Sequence, residues 1–267
     1  MITDMKGNVV VTGGSGGIGL ALAELFLKNG YRVFTLSRTA GKGTSEHILT
    51  DVTDEQSVKD AFKRIEDLCG HIDILVNNAG CGISGAIEYT PVCEAKRQFD
   101  VNFFGMFTCV KYAVPLLRKN GGRIVNVSSA AAIFSIPFQS FYSASKSAVN
   151  SLTLALRNEL KQFGISVCAV MPGDVKTGFT DARVKHHDGN DVYSGMIDAS
   201  VSVMEKDEKS GMTPEYVAKR IYGKAVKKHV RPLYTVGIVY KLYSLAERIL
   251  PVSLVNWIVG KLYIKKS

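Results

Sequence analysis

Cysteine is scarce and unpaired in this sequence. Cys69, Cys81, Cys93, Cys109 and Cys168 are scattered without a C-x-x-C spacing, which excludes a disulfide framework or a thiolate metal site and points to a reducing compartment. The adjacent His186-His187 has no spaced third ligand, so it reads as loop and no metal is expected. Apolar runs of membrane-spanning length are missing. Ile124–Ser145 is uncharged but broken by Asn126, Pro137 and Gln139, and Ile249–Gly260 is too short. Met1–Asn8 holds Asp4 and Lys6 and leads straight into a strand pattern, which is not a signal peptide; a cytoplasmic protein is expected. No stretch has the composition of a linker, so residues 1–267 are expected to form one domain. Acid is scarce at the end. From Lys219 to Ser267 eleven Lys or Arg face Glu247 alone, so the net charge of +9 is concentrated there.

What is present begins with Asn8-Val9-Val10-Val11-Thr12, an apolar run of strand length, followed at once by Gly13-Gly14-Ser15-Gly16-Gly17-Ile18-Gly19. Leu20, Leu22, Ala23, Leu25, Phe26 and Leu27 then set an apolar helix that stops at Asn29-Gly30. Strand, glycine turn and helix amino terminus together make an anion site, because the backbone passes close to a pyrophosphate and free N–H groups point at it. A dinucleotide is the expected ligand. The second strand, Tyr31–Leu36, ends in Ser37-Arg38, where an acid would accept from the adenosine ribose. Arg38 favours a 2′-phosphate instead, so NADP(H) is expected rather than NAD(H).

The alternation continues. His47–Thr50 is a third strand leading to Asp51-Val52-Thr53, and Asp54 caps a helix in which Val58, Ala61, Phe62, Ile65 and Leu68 recur at helical period. Ile72–Val76 ends in Asn77-Asn78-Ala79-Gly80, and a helix through Gln98, Phe99, Val101 and Asn102 runs to about Lys119. Gly122–Val127 delivers Ser128-Ser129, a helix from Phe141 runs to about Phe163, and Ile165–Val170 and Pro232–Val236 are further strands. Short apolar strands alternating with helices imply an α/β fold, a Rossmann-type doubly wound parallel sheet of about seven strands with helices on both faces and a helical C-terminal extension. Ligands of such sheets bind at the carboxyl ends of the strands.

Tyr142 and Lys146 stand four residues apart at the start of a helix and share one face. A phenol titrates at about pH 10 in water, and an ammonium beside it is expected to lower that value. Together the motifs resemble one family closely, the short-chain dehydrogenase/reductases. The match covers Lys6–Thr177 through Thr12-Gly13-x-x-x-Gly17-Ile18-Gly19, Asn77-Asn78-Ala79-Gly80, Asn102, Ser129, Tyr142-x-x-x-Lys146 and Pro172-Gly173-x-Val175-x-Thr177.

The resemblance implies that Tyr142 is general acid in reduction and base in oxidation, with Lys146 tuning it and holding the nicotinamide ribose. It implies that Ser129 bonds the substrate oxygen and that Asn102 holds a water linking Lys146 to solvent. Thr12, Gly13, Gly17, Ile18 and Gly19 would surround the pyrophosphate, Arg38 and Ser15 the 2′-phosphate, and Asp51 and Val52 the adenine. Asn78 would meet the adenosine side and Thr177 the nicotinamide amide, with Ala79, Gly80, Pro172, Gly173 and Val175 also binding the cofactor. A homodimer or homotetramer is likewise implied.

Ala130, Ala131, Phe134, Ile136, Phe138, Phe141 and Phe179 are expected to form an apolar substrate wall. Residues 178–211 read as a polar, irregular lid. In the basic extension 238–267, amphipathic helices bearing Lys241, Arg248, Lys261, Lys265 and Lys266 suit an anionic membrane, their own subunit or a symmetry mate; nucleic acid is not expected. The expected activity interconverts a secondary alcohol and a ketone on a bulky hydrophobic molecule, foremost a hydroxysteroid or bile acid. An acyl-dihydroxyacetone phosphate or 3-ketoacyl thioester is the alternative, and a non-catalytic NADPH sensor the reading from another class.

Overall fold

Val10 points to one face of a central sheet and Val9 and Val11 to the other, so a single valine run feeds two cores. The computed structural model describes residues 5–264, so the expectations for Met1–Asp4, Lys265 and Lys266 lie outside the described residues. The chain runs β1 (Asn8–Thr12), α1 (Gly17–Lys28), β2 (Arg32–Ser37), β3 (Glu46–Leu49), α2 (Glu55–Cys69), β4 (Ile74–Asn77), β5 (Ile83–Ser84), α3 (Val92–Phe99), α4 (Gly105–Leu117) and β6 (Gly122–Val127). It continues through α5 (Ser140–Glu159), β7 (Ile165–Pro172), α6 (Phe179–Ala182), β8 (Val184–Lys185), α7 (Met196–Lys209), α8 (Pro214–Ala225), β9 (Leu233–Val236), α9 (Ile238–Ile249) and α10 (Val252–Tyr263).

Seven strands form one parallel sheet in the order β3-β2-β1-β4-β6-β7-β9. Helices α2, α4 and α5 cover the face of Val10, and α1 and α8 the face of Val9 and Val11. This is the α/β doubly wound fold that the alternation of short strands and helices predicts. Successive strands leave β1 in opposite directions, β2 on one side and β4 on the other. The loops at their carboxyl ends part there and open a crevice.

Two local features depart from expectation. Met196–Lys209 is a helix rather than irregular chain, because Ile197, Val201 and Met204 recur at helical spacing and are buried. Between α3 and α4 the helix widens into a π turn at Asp100–Phe104, which carries Asn102. A short parallel pair, β5 with β8, ties the segment after β4 to the one after α6.

Candidate active site

A cleft of about 1170 Å³ follows the carboxyl ends of β1, β2, β4, β6 and β7, lined after each in turn by Gly13, Arg38, Asn78, Ser128 and Gly173. One half fits a dinucleotide. Helix α1 starts at Gly17 with no side-chain cap, so its first N–H groups are left for an anion. A Cβ at Gly16 would meet nothing and would project into open space, whereas one at Gly19 would collide with the Gly13 carbonyl. Gly13, Ser15, Gly17 and Ile18 line the cleft, with Asn78, Ala79 and Gly80 opposite. Thr12 and Gly19 lie behind this wall, not on it. The Thr12 hydroxyl accepts from the Asn78 and Ala79 amides at 2.9 and 3.0 Å, which clamps the β1 turn to the β4 turn.

At the far end Arg38, Asp51 and Val52 line the cleft. Burial alone would raise the Asp51 carboxyl, but hydrogen bonds from Thr53 and the charges of Arg38 and Arg97 outweigh it and hold the group below the usual range. Pro172, Gly173, Val175 and Thr177 line the middle.

Ser129, Tyr142 and Lys146 meet beside them. Ser129 is set by the end of β6 and accepts from the Ala131 amide at 3.1 Å, so its own proton remains available for donation. Tyr142 and Lys146 share a face of α5, as their spacing predicts. Lys146 is buried and donates through Nζ to the Val127 carbonyl at 2.9 Å. Burial pushes its ammonium down to about 8. Tyr142 departs from the sequence-based expectation: burial pushes its phenol up to about 12, with the Ser129 hydroxyl opposing the shift. The ammonium that was expected to lower it donates to the Val127 carbonyl instead, and desolvation dominates the shift.

Asn102 does not line the cleft. It is buried behind it, where its Oδ1 accepts from the Cys81 amide at 2.8 Å and its Nδ2 donates to the Cys81 carbonyl at 3.0 Å and to Ser145 Oγ at 3.1 Å. These bonds tie the π turn to the loop after β4 and to α5. A Cβ at Gly80 would lie 3.2 Å from Asn102 Oδ1 and 3.6 Å from Lys146 Nζ, so Gly80 allows the two to approach.

Of the expected substrate wall, Ala130, Ala131, Phe134, Ile136 and Phe179 line the cleft, and Phe179 stacks obliquely 5.7 Å from the Tyr142 ring. Phe138 does not. It adopts a positive φ of 59°, its carbonyl accepts from Gly85, and its ring packs edge-on against Tyr193. Phe141 faces a separate shallow groove with Val92, Phe99 and Phe104. Phe138 lies in a loop whose turns cannot be assigned from residue types alone, and Phe141 lies in the first turn of α5.

Sequence reasoning missed much of the opposite wall. Tyr240, Tyr243, Leu250, Val255 and Tyr263 from α9 and α10 close it, together with Asp174, Glu208 and Glu247. The Tyr240 ring covers Gly173, and its hydroxyl donates to the Asp174 carboxylate. Burial pushes Asp174 up to about 6. Glu208 accepts from Thr180 at 2.6 Å and pairs with the fully buried Arg183. The apolar spacing of the tail was legible; its position over the cleft depends on long-range packing.

His187 pairs with Asp198 at 2.5 Å, and no cluster of three metal-binding side chains occurs among the described residues. No helix among the described residues is long and apolar enough to cross a membrane.

A family model described as short chain dehydrogenase matches residues 7–188. Over 255 residues the chain is 35% identical to a 3-ketodihydrosphingosine reductase from Bacteroides thetaiotaomicron, covering 93% of this chain and 95% of the relative. Among solved structures, ElxO with NADP bound superposes with a TM-score of 0.74 at 31% identity, covering 89% of this chain and 100% of that one. A 3-ketoacyl-(acyl-carrier-protein) reductase from Brucella melitensis complexed with NADH gives a TM-score of 0.74 at 25% identity, covering 87% and 97%.

Proposed function

The chain belongs to the short chain dehydrogenase family, and from that premise we propose that it is an NADPH-dependent reductase of a ketone on a bulky apolar lipid. The observation that carries this reading is the joining of two surfaces in one cleft: Ser129, Tyr142 and Lys146 stand between a dinucleotide-shaped half and an apolar half walled by α9 and α10. NADP(H) over NAD(H) rests on Arg38, since no acid ends β2 and an arginine there pairs with a 2′-phosphate.

When bound, the reduced nicotinamide supplies the hydride. The residues do the rest. Ser129 donates a hydrogen bond to the ketone oxygen and fixes its place. The Tyr142 phenol, protonated at neutral pH, gives its proton to that oxygen as the new C–H bond forms, and an O–H bond results. Lys146, protonated below about 8, stabilises the phenolate left behind and would hold the ribose hydroxyls of a bound coenzyme. Asn102 holds the Cys81 backbone and α5 in register, acting as a positioning residue.

Charge narrows the substrate. The lipid half presents the Asp174 and Glu247 carboxylates, whereas the charge of Glu208 is matched by the buried Arg183. Such a wall repels carboxylates and phosphates, which disfavours bile acids, acyl-dihydroxyacetone phosphate and acyl carrier protein. It accepts a neutral or cationic lipid. A long-chain ketone bearing an amino group is the leading substrate class, supported by the name of the Bacteroides relative, and a neutral hydroxysteroid is the second reading. NADPH oxidation tested across a long-chain amino ketone, a neutral ketosteroid and an anionic bile acid distinguishes them. The amino ketone is expected to turn over fastest; preference for the bile acid would overturn the charge argument.

A further inference from the structure

Helices α9 and α10 have two apolar faces, and only one is used. Tyr240, Tyr243, Leu250, Val255, Val259 and Tyr263 face the cleft. On the outside of α9, Ile238, Leu242, Leu245 and Ile249 recur at helical spacing, and Ile238 is 76% and Ile249 72% exposed. Val252 at the start of α10 is 79% exposed, and Leu254 and Trp257 further along it are exposed as well. Lys241 and Arg248 flank the α9 stripe, and Lys261 lies over the Trp257 ring, 5.9 Å from its centre. Glu247, the one acid of the two helices, lines the cleft instead.

An exposed aliphatic stripe on α9, an exposed indole on α10 and basic side chains beside each are matched in chemistry by an anionic bilayer. The apolar side chains and indole enter the acyl boundary while lysine and arginine reach the headgroups. The two helices are too short to cross a bilayer, so they lie flat on it. We propose that the outer face of α9–α10 docks on an anionic phospholipid surface, so that the wall of the substrate cleft rests against the membrane and a lipid substrate enters along it. This goes beyond the proposed reaction, because docking is measured without turnover.

Trp257 is the chain's single tryptophan and lies in the surface itself, so its emission reports contact directly. The full chain is mixed with phosphatidylglycerol/phosphatidylcholine vesicles and with pure phosphatidylcholine vesicles, and emission and co-sedimentation are read together. A blue shift with co-sedimentation on the anionic vesicles, weak or absent on the neutral ones, is expected. Lys241→Gln and Arg248→Gln should each weaken partitioning about five-fold, with melting temperature and turnover of a water-soluble ketone unchanged. Emission unaffected by anionic vesicles overturns the proposal. So does a blue shift that grows with protein concentration without lipid and follows a dimer in sedimentation, since a second copy would then cover the face.

Discussion

Lys146 Nζ stands 5.8 Å from the centre of the Tyr142 ring, one turn further along α5. At neutral pH the phenol keeps its proton and the lysine its charge, because burial pushes the first up to about 12 and the second down to about 8. As pH rises through about 8, the ammonium that would stabilise a departing phenolate is lost while the phenol stays protonated. The kcat/KM for ketone reduction is therefore expected to be level below that pH and to fall above it. A rate that climbs through the same range contradicts this assignment.

The glycine turn separates fold from ligand binding. Gly16→Ala places a methyl in open cleft, and the backbone there is extended, so the melting temperature should hold while NADPH affinity falls. Gly19→Ala drives a methyl into the Gly13 carbonyl and should lower the melting temperature itself. Thermal unfolding with and without NADPH checks both. Unchanged NADPH affinity in Gly16→Ala would remove the pyrophosphate from this turn.

On the proposed reading, Arg38 at the end of β2 favours NADPH over NADH. Loss of a charge-assisted contact costs roughly ten- to a hundred-fold in affinity, so Arg38→Ala should raise KM for NADPH by about that factor and leave NADH little changed. Equal losses for both coenzymes would place Arg38 outside the 2′-phosphate site.

The fold and the shared cleft face of Tyr142 and Lys146 were legible because their signals are local. The β1 valine run and the bare glycine turn after it, the four-residue interval from Tyr142 to Lys146, and Ser129 at the end of β6 all follow from spacing and residue type. What was hidden depends on pairs distant in sequence. Tyr240 lies over Gly173, and Arg183 pairs with Glu208, through packing that no window of sequence contains. The same holds for Phe138, whose positive φ turns it toward Tyr193; the interval of Ile197, Val201 and Met204 in α7 is local, but its polar neighbours masked it. The Tyr142 phenol was misjudged for a related reason: its neighbour was legible, its burial was not.

Asp174 is a stored cost above its titration. Its folded carboxyl is raised from 3.8 to about 6, so the native state binds the proton more tightly and stability falls as pH rises through that window. Above it the penalty is on the order of 3 kcal/mol. Asp174→Asn keeps an acceptor for the Tyr240 hydroxyl and removes the charge. The variant is expected to be more stable than the parent at neutral pH, with the gap closing toward pH ~4. Denaturation at both pH values reads this, and a variant less stable throughout contradicts it.

The most direct measurement compares the parent protein with Tyr142→Phe in one assay, following NADPH oxidation with a long-chain amino ketone and titrating NADPH binding in the same samples. Loss of turnover by roughly a hundred- to ten-thousand-fold with coenzyme affinity retained is the expected result, because only the transferable proton is removed. Undiminished turnover in the phenylalanine variant would contradict the assignment of Tyr142 as the proton donor.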